Sequence, residues 1–318
     1  LEASVRETGR TYFERNEANP LEEDLIIVDE ASMLDISLFY HLLCALKDGA
    51  RLILVGDIDQ LPPVGAGEPL KDLMSWGYVP IVRLKRIFRQ EEGSGIVENA
   101  ALIRKGEMCV PDEAGEFRII YAADDEDAYR IVMDLCGELN YGNEENKMLL
   151  QVLSPMYRGV CGVDHLNESL QEMIHGEKVP DGMKFFPGDK VMQTRNDYEK
   201  GIYNGDVGTV WTATPQKVFV RYFDKEVVYE GEERFDLRLA YAVTVHKSQG
   251  SEYETVIFIL RPSQHNMLQR NLLYTGVTRA RKNTILVTAP DALRRALAIQ
   301  HTGNRYSLFL PFLNHEAL

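Results

Sequence analysis

Two rhythms of apolar residues run along this chain. At Leu25-Ile26-Ile27-Val28 and again at Leu52-Ile53-Leu54-Val55, every position is apolar over the length of a strand. Unbroken runs of this kind suit strands covered on both faces, as in parallel α/β sheets. Between them, Met33, Leu34, Leu38, Leu42, Leu43 and Leu46 recur at helical spacing ahead of Gly49. That spacing predicts a helix over 33–46, with Ser32 or Asp35 as N-cap and Gly49 as C-cap. Strand, helix and strand make a right-handed crossover that brings both carboxyl ends to one edge. A second helix is predicted over 96–103. After a loop at 109–115, the pattern predicts strands over 117–120, 148–153, 255–260 and 284–288, with helices over 128–139 and 166–174.

Residues 184–239 follow a different rhythm. Short β-type runs (190–194, 208–211, 218–222, 226–229) are divided by turns such as Asn204-Gly205-Asp206, with no helix between them. This predicts a small β-barrel inserted into the second α/β domain. The expected division is therefore a hairpin region over 1–20, a first domain over 21–110, and a second over 111–318 that carries the insertion.

Composition narrows the function classes. The 318 residues hold two domains with cores of their own, and 45% apolar with 26% charged residues is ordinary for a globular protein. No apolar run approaches membrane-span length, and no signal-peptide pattern opens the chain, so a cytoplasmic setting without a membrane partner is expected. Four scattered cysteines without C-x-x-C pairs suggest reduced thiols rather than zinc. A net charge of −14 counts against nucleic acid on average. Local clusters (Arg83, Lys85, Arg86 and Arg89; Arg279, Arg281 and Lys282) leave room for a basic cleft.

Both early strands end in acids, Asp29-Glu30 and Asp57-Ile58-Asp59-Gln60. Ligands of parallel sheets bind beyond the carboxyl ends of strands. There Asp29 suits a Mg²⁺ ion, Glu30 a base that polarises water, and Gln60 a γ-phosphate sensor. Gly56 permits close backbone approach, and Pro62-Pro63 stiffens the exit loop. Arg89 and Arg279 each stand near the end of an element, where a guanidinium can stabilise phosphoryl charge. Thr244, His246 and Lys247 open a polar run suited to a nucleic-acid backbone, and Glu252 suits a ribose hydroxyl. Each feature alone also has a plain reading: a capping acid, an ion-paired arginine, a loop histidine. No Gly-Lys-Ser or Gly-Lys-Thr occurs, so no phosphate loop is present in these residues.

Taken in order, Val28-Asp29-Glu30-Ala31-Ser32, the 56–67 run from Gly56 to Gly67, Ile87-Phe88-Arg89-Gln90, the 245–252 run and the 274–281 run resemble motifs II to VI of superfamily 1 helicases. The Asp59–Gly67 extension and Ser154-Pro155-Met156-Tyr157-Arg158-Gly159 resemble the RecD-like branch. The resemblance implies two RecA-like parallel-sheet domains, the first truncated, with an SH3-like barrel inserted in the second. It implies ATP and Mg²⁺ in a cleft between the domains, held by residues including Asp29, Asp57, Gly250 and Glu252. Chemistry would fall to Glu30, Gln60, Arg89 and Arg279, and the strand to Pro62, Pro63, Thr244, His246 and Lys247. It further implies 5′ to 3′ translocation on single-stranded DNA, partners in recombination or repair, and a strand-separating pin in residues 4–17. Because motif I is absent and the chain opens at Leu1, the expectation is the later part of a longer protein, with little ATP turnover by itself. Three readings compete: a non-hydrolysing DNA-binding or scaffold subunit, an RNA helicase, and a non-helicase ATPase.

Overall fold

The computed structural model describes residues 3–5, 11–84, 93–180, 182–300 and 308–315. Two compact units emerge, one from residues 1–86 and 301–318, the other from residues 87–300. Among the described residues, 93–110 lie with the second unit and 308–315 with the first.

In the first unit, β1 (Ala3–Val5) and β2 (Thr11–Phe13) pair antiparallel. Next, β3 (Leu25–Val28) and β4 (Arg51–Leu54) pair parallel, with Val28 opposite Leu54. The connection holds a 3-10 turn (Ala31–Met33) and then α1 (Ile36–Cys44). The Asp35 carboxylate caps α1 by accepting from the Leu38 amide at 2.8 Å. The helix stops at Ala45 rather than Gly49, which turns the chain at φ 81° just before β4. The expectation of strands covered on both faces fails here: Leu25, Ile27 and Ile53 are 48%, 60% and 45% exposed. Only alternate positions find cover, because the described residues supply a layer to one face of the pair. α2 (Pro69–Trp76) completes this part of the unit.

The second unit is built on a five-stranded parallel sheet. In chain order its first elements are α3 (Gly95–Lys105), β5 (Phe117–Tyr121), α4 (Asp125–Glu138), α5 (Glu144–Leu149), β6 (Leu150–Ser154) and α6 (Val163–His175). The antiparallel insertion then supplies β7 (Lys190–Gln193), β8 (Val207–Ala213), β9 (Lys217–Arg221), β10 (Glu226–Glu230) and β11 (Leu237–Leu239). The parallel layer resumes with β12 (Ala242–Thr244), β13 (Tyr253–Leu260), α7 (Arg270–Val277), β14 (Ala280–Thr288) and α8 (Pro290–Ala298). Last, α9 (Phe309–Leu313) rejoins the first unit, where Phe309 meets Phe39 edge-on at 5.8 Å.

Strand order in the parallel sheet is β12-β6-β13-β14-β5. Here cover on both faces does hold. Val152, Ile257, Ile259, Ile285 and Val287 pack with Val132 and Leu135 of α4 and Leu166 and Leu170 of α6. The alternate residues Leu153, Phe258 and Leu286 are buried too. α7 comes so close to Phe258 that a Cβ at Gly276 would sit 2.5 Å from its ring, so only glycine fits.

The insertion is a five-stranded sheet in the order β10-β9-β8-β7-β11. Phe185, Val191, Val210, Val220, Tyr229 and Leu237 form its own core. Among the described strands its two edges, β10 and β11, are not paired with each other, so the finding is an antiparallel sheet rather than a closed ring of strands.

A buried polar junction joins the insertion to the parallel layer. Asp189, fully buried, accepts from Gln171 Nε2 (2.5 Å), the Phe186 amide (2.7 Å) and the Tyr241 hydroxyl (2.9 Å), and meets His175 Nε2 at 2.8 Å. Its neighbour Lys190 donates to Leu150 O and Gln151 Oε1, with the Tyr141 and Tyr253 rings each 5.6 Å from the ammonium. The rings favour the charged form, but full burial outweighs them, and the nearby Lys147 adds repulsion. Lys190 is thereby pushed from 10.5 down to about 7. Between those two values the unfolded chain binds one proton more than the folded chain. Stability contributed by this site therefore rises with pH across that window, by at most ~1.4 kcal/mol per pH unit. In Lys190→Met that contribution should vanish. Urea denaturation of both proteins at pH 7, 8 and 9 measures it, and parallel pH trends would refute the assignment.

Candidate functional site

The sequence-predicted residues fall into two groups, one on each unit. In the first unit, the carboxyl ends of β3 and β4 lie side by side, and the Ala31 amide donates to Val55 O at 2.8 Å across them. Asp29 is exposed and follows β3 directly, with Oδ1 accepting from the Glu30 amide at 2.8 Å. Glu30 adopts a left-handed conformation, φ 50° and ψ 36°, at the start of the 31–33 turn, and its side chain caps nothing there. A non-glycine residue in that region carries strain, and strain of this kind gathers at functional positions.

The loop after β4 packs against that turn. A Cβ at Gly56 would lie 2.8 Å from the Ser32 amide nitrogen, so Gly56 lets the two strand ends approach. Asp57 folds its loop locally, with Oδ1 accepting from the Asp59 amide at 3.0 Å. Asp57, Gln60, Pro62 and Pro63 line one small cavity together with Ser32. Ser32 is buried, and its Oγ has no hydrogen-bond partner. The donors gathered here are hard oxygens, the type Mg²⁺ takes. Among the described residues no three His, Cys, Asp or Glu side chains are grouped to hold a metal by themselves.

On the second unit, strand register divides the remaining residues between two edges. Thr244 ends β12 opposite Ser154 of β6, so both strands release their loops at the carboxyl edge. Beyond Thr244 the chain turns tightly: the Lys247 amide donates to Thr244 Oγ1 and the Ser248 amide to Thr244 O. Burial holds the His246 imidazole below its usual range, favouring the neutral ring. Lys247 Nζ donates to Asn204 Oδ1 of the insertion at 2.5 Å, and burial followed by Arg238 lowers its pKa. Lys247 lines an open groove of about 970 Å³ with Tyr157, Arg158, Arg195, Phe235 and Arg238.

At the opposite edge, Tyr253 and Ala280 begin β13 and β14 side by side. Gly250, at φ 76°, leads the chain there. Arg279 is buried, donating to Thr275 O (3.1 Å) and Ser251 O (3.2 Å). Glu252 accepts from Arg281 Nε at 2.7 Å. These contacts tie the 245–252 run to the 274–281 run. Arg89 lies outside the described residues.

The groove residues beyond Lys247 had weak signals in sequence. Tyr157 and Arg158 belong to the 154–159 stretch, whose chemistry the residues alone did not reveal. Arg195, Phe235 and Arg238 are scattered through the insertion, and only its folding onto the parallel layer gathers them.

Comparison with known proteins agrees with this architecture. Residues 4–119 match the AAA domain, 166–222 the ATP-dependent RecD-like DNA helicase SH3 domain, and 239–287 the UvrD-like helicase C-terminal domain. The chain is 37% identical over 304 residues to the ATP-dependent RecD2 DNA helicase of Deinococcus radiodurans, covering 94% of this chain and 41% of that protein. It is 33% identical over 316 residues to the RecBCD enzyme subunit RecD of Mycolicibacterium smegmatis, covering 93% and 56%. It thus spans about half the length of these relatives. In fold it resembles the Pif1 helicase from Bacteroides solved with ADP-AlF3 and ssDNA, with TM-score 0.56, 21% identity, and coverage of 95% of this chain and 76% of that one. No helix of the described residues is long and apolar enough to cross a membrane.

The left-handed Glu30 generates a test independent of activity. Relief of a strained non-glycine residue is worth ~1–2 kcal/mol, less the ~0.5–1 kcal/mol entropic cost of glycine. Glu30→Gly should therefore raise stability by roughly 0.5–1 kcal/mol, while Glu30→Gln leaves it unchanged. Chemical denaturation of the three proteins decides, and a destabilised glycine variant would show the backbone there to be unstrained.

Proposed function

The chain belongs to the RecD-like branch of the superfamily 1 helicases, and from that premise we propose that it is the nucleotide-hydrolysing and strand-gripping part of an ATP-dependent DNA helicase moving 5′ to 3′ on single-stranded DNA. The observation that carries the reading is the pairing of the β3 and β4 carboxyl ends, which sets Asp29-Glu30 beside the Gly56–Pro63 loop. An edge of this kind is where a parallel sheet takes a phosphate ligand.

In this mechanism Asp29 would hold Mg²⁺ through a carboxylate oxygen, and the ion would supply charge neutralisation at the phosphates. Glu30 accepts a proton from the attacking water, and its left-handed backbone commits its direction in advance. Gln60, on the loop that Asp57 folds, orients that water against the γ-phosphate. Arg89 and Arg279 stabilise the charge that develops on the transferred group. For Arg279 this role requires a rearrangement of the contacts that now hold it to Thr275 and Ser251. Gly250 and Glu252 approach the nucleotide, with Glu252 exchanging Arg281 for a ribose hydroxyl. Thr244, His246, Lys247 and the Pro62-Pro63 loop hold the DNA backbone, whose phosphates favour cations and turn amides. β1 and β2 are proposed as the strand-separating pin.

No Gly-Lys-Ser or Gly-Lys-Thr run occurs in the sequence. Because the chain spans 41% and 56% of its relatives' length, hydrolysis and any recombination or repair partners are proposed for the whole protein. A non-hydrolysing scaffold remains the second reading, and the absent loop is what favours it.

ATP turnover should be stimulated by single-stranded DNA in a protein that joins this chain to its phosphate loop. In that protein Glu30→Gln should lower turnover by two orders of magnitude or more, on the scale of ~10²–10⁴ for a lost general base, with nucleotide binding retained. Steady-state hydrolysis and binding of a fluorescent ATP analogue separate the two effects. Turnover close to the parent's would remove Glu30 as the base.

A further inference from the structure

The groove that carries Lys247 is lined by charges of both signs. Arg195 Nε lies 3.4 Å from Asp236 Oδ1, and Arg238 Nη1 lies 3.8 Å from Asp164 Oδ1. Asp236 ends a 3-10 turn, Gly231–Asp236, whose sequence is Gly-Glu-Glu-Arg-Phe-Asp. The turn is firmly built: the Glu230 side chain caps it, the Glu233 carboxylate accepts back from the Glu230 amide, and Glu233 also binds Lys200 at 2.6 Å. Asp236 O accepts from both the amide and the hydroxyl of Thr194 at the end of β7. Asp236 is therefore held in place by the backbone of the insertion, and Asp164 stands in the first turn of α6.

Beside those acids stand two aromatic faces. Phe235 is 73% exposed and Tyr157 is 40% exposed, and the Arg238 guanidinium sits 5.7 Å from the Tyr157 ring centroid. A single exposed phenylalanine means little. Here it shares an open groove of about 970 Å³ with a second exposed ring and four cationic side chains. Rings that accept bases and cations that accept phosphates are the two components of a single-strand site. The carboxylates are what such a site does not need, and they engage two of the four cations. Exposed ion pairs of this kind are weak, worth a few-fold in an equilibrium, so a polyanion can displace them.

We propose that Asp164 and Asp236 are internal stand-ins for backbone phosphates, which hold Arg238 and Arg195 in place until single-stranded DNA displaces them and lays a base on Phe235. The proposal rests on the reading of this groove as part of the DNA track, and it adds a base platform and a built-in competitor to that reading. With the acids in place, each phosphate that binds must break an internal pair, which lowers affinity and lets the strand leave readily. The rings compensate through contacts that do not depend on salt.

The test is the affinity of the 318-residue chain for a labelled oligothymidylate, by fluorescence anisotropy over a range of salt concentrations. The double variant Asp164→Asn/Asp236→Asn should bind roughly 3- to 30-fold tighter at low salt, as two weak competing pairs are removed. Its log–log salt dependence should steepen, by about one unit for each acid that no longer recaptures a cation on displacement. Phe235→Ala should weaken binding by roughly 5- to 100-fold without changing that slope, and Phe235→Tyr should restore it. If the parent chain binds and the double variant binds no tighter, the stand-in role is overturned. If Phe235→Ala binds as the parent does, the base platform is overturned. Failure of the parent chain to bind at low salt overturns the DNA reading of the groove and this proposal with it.

Discussion

The second unit depends on one buried carboxylate. Asp189 has no exposure, yet it is satisfied by Gln171 and His175 of α6, by the Phe186 amide and by the Tyr241 hydroxyl. A buried charge is tolerable only when its lone pairs are met in this way. Its location gives the network its reach. Asp189 stands where the chain enters the inserted sheet, and Tyr241 where it leaves. The Tyr241 carbonyl is in turn held by Tyr141 and Gln151. Three residues after Tyr241, β12 ends at Thr244 and the Lys247 turn begins. Removal of the carboxylate would strand several buried donors and loosen the tie between the insertion and the strand that presents Lys247.

The same logic explains why Lys247 meets Asn204. The lysine belongs to the parallel layer and the asparagine to a turn of the insertion, and only a fixed junction brings them to 2.5 Å. The groove is thus the product of two sheets built on different principles. The parallel sheet releases loops at its carboxyl edge, whereas the antiparallel sheet offers its turns and its acidic 231–236 segment.

Much of this was legible in the residues, for identifiable reasons. β13 and β14 are apolar at nearly every inner position because helices cover both faces, and the sequence pattern states that directly. The insertion was legible as short runs cut by Asn-Gly turns. β3 and β4 carry the same unbroken pattern, yet half their apolar side chains face outward, since pattern reports what a strand can bury and not what is there to cover it. α5 went unseen because its six residues, Glu-Glu-Asn-Lys-Met-Leu, run straight into β6. At the site, motif order pointed to the acids and to Lys247. It could not reveal that Arg279 would lie buried against Ser251, at the sheet edge opposite Thr244, because that separation follows from strand register. Phe235 and Arg238 had no periodic or motif signal, since only the fold places them in one groove with Tyr157.

The insertion leaves the parent sheet almost where it enters. The Ala240 amide donates to Lys190 O at 2.8 Å, so the two ends of the 190–239 segment lie within one hydrogen bond of each other. The segment also carries a core of its own, centred on Val191, Val210, Val220 and Tyr229. A piece of chain with adjacent ends and a private core is a cassette. Its loss or exchange asks the host for only a short splice between Asp189 and Ala240, and none of the pairings among the host's five strands involves it. Gain, loss or exchange of such a cassette can therefore reshape the groove beside Lys247 while the parallel layer keeps its strand order.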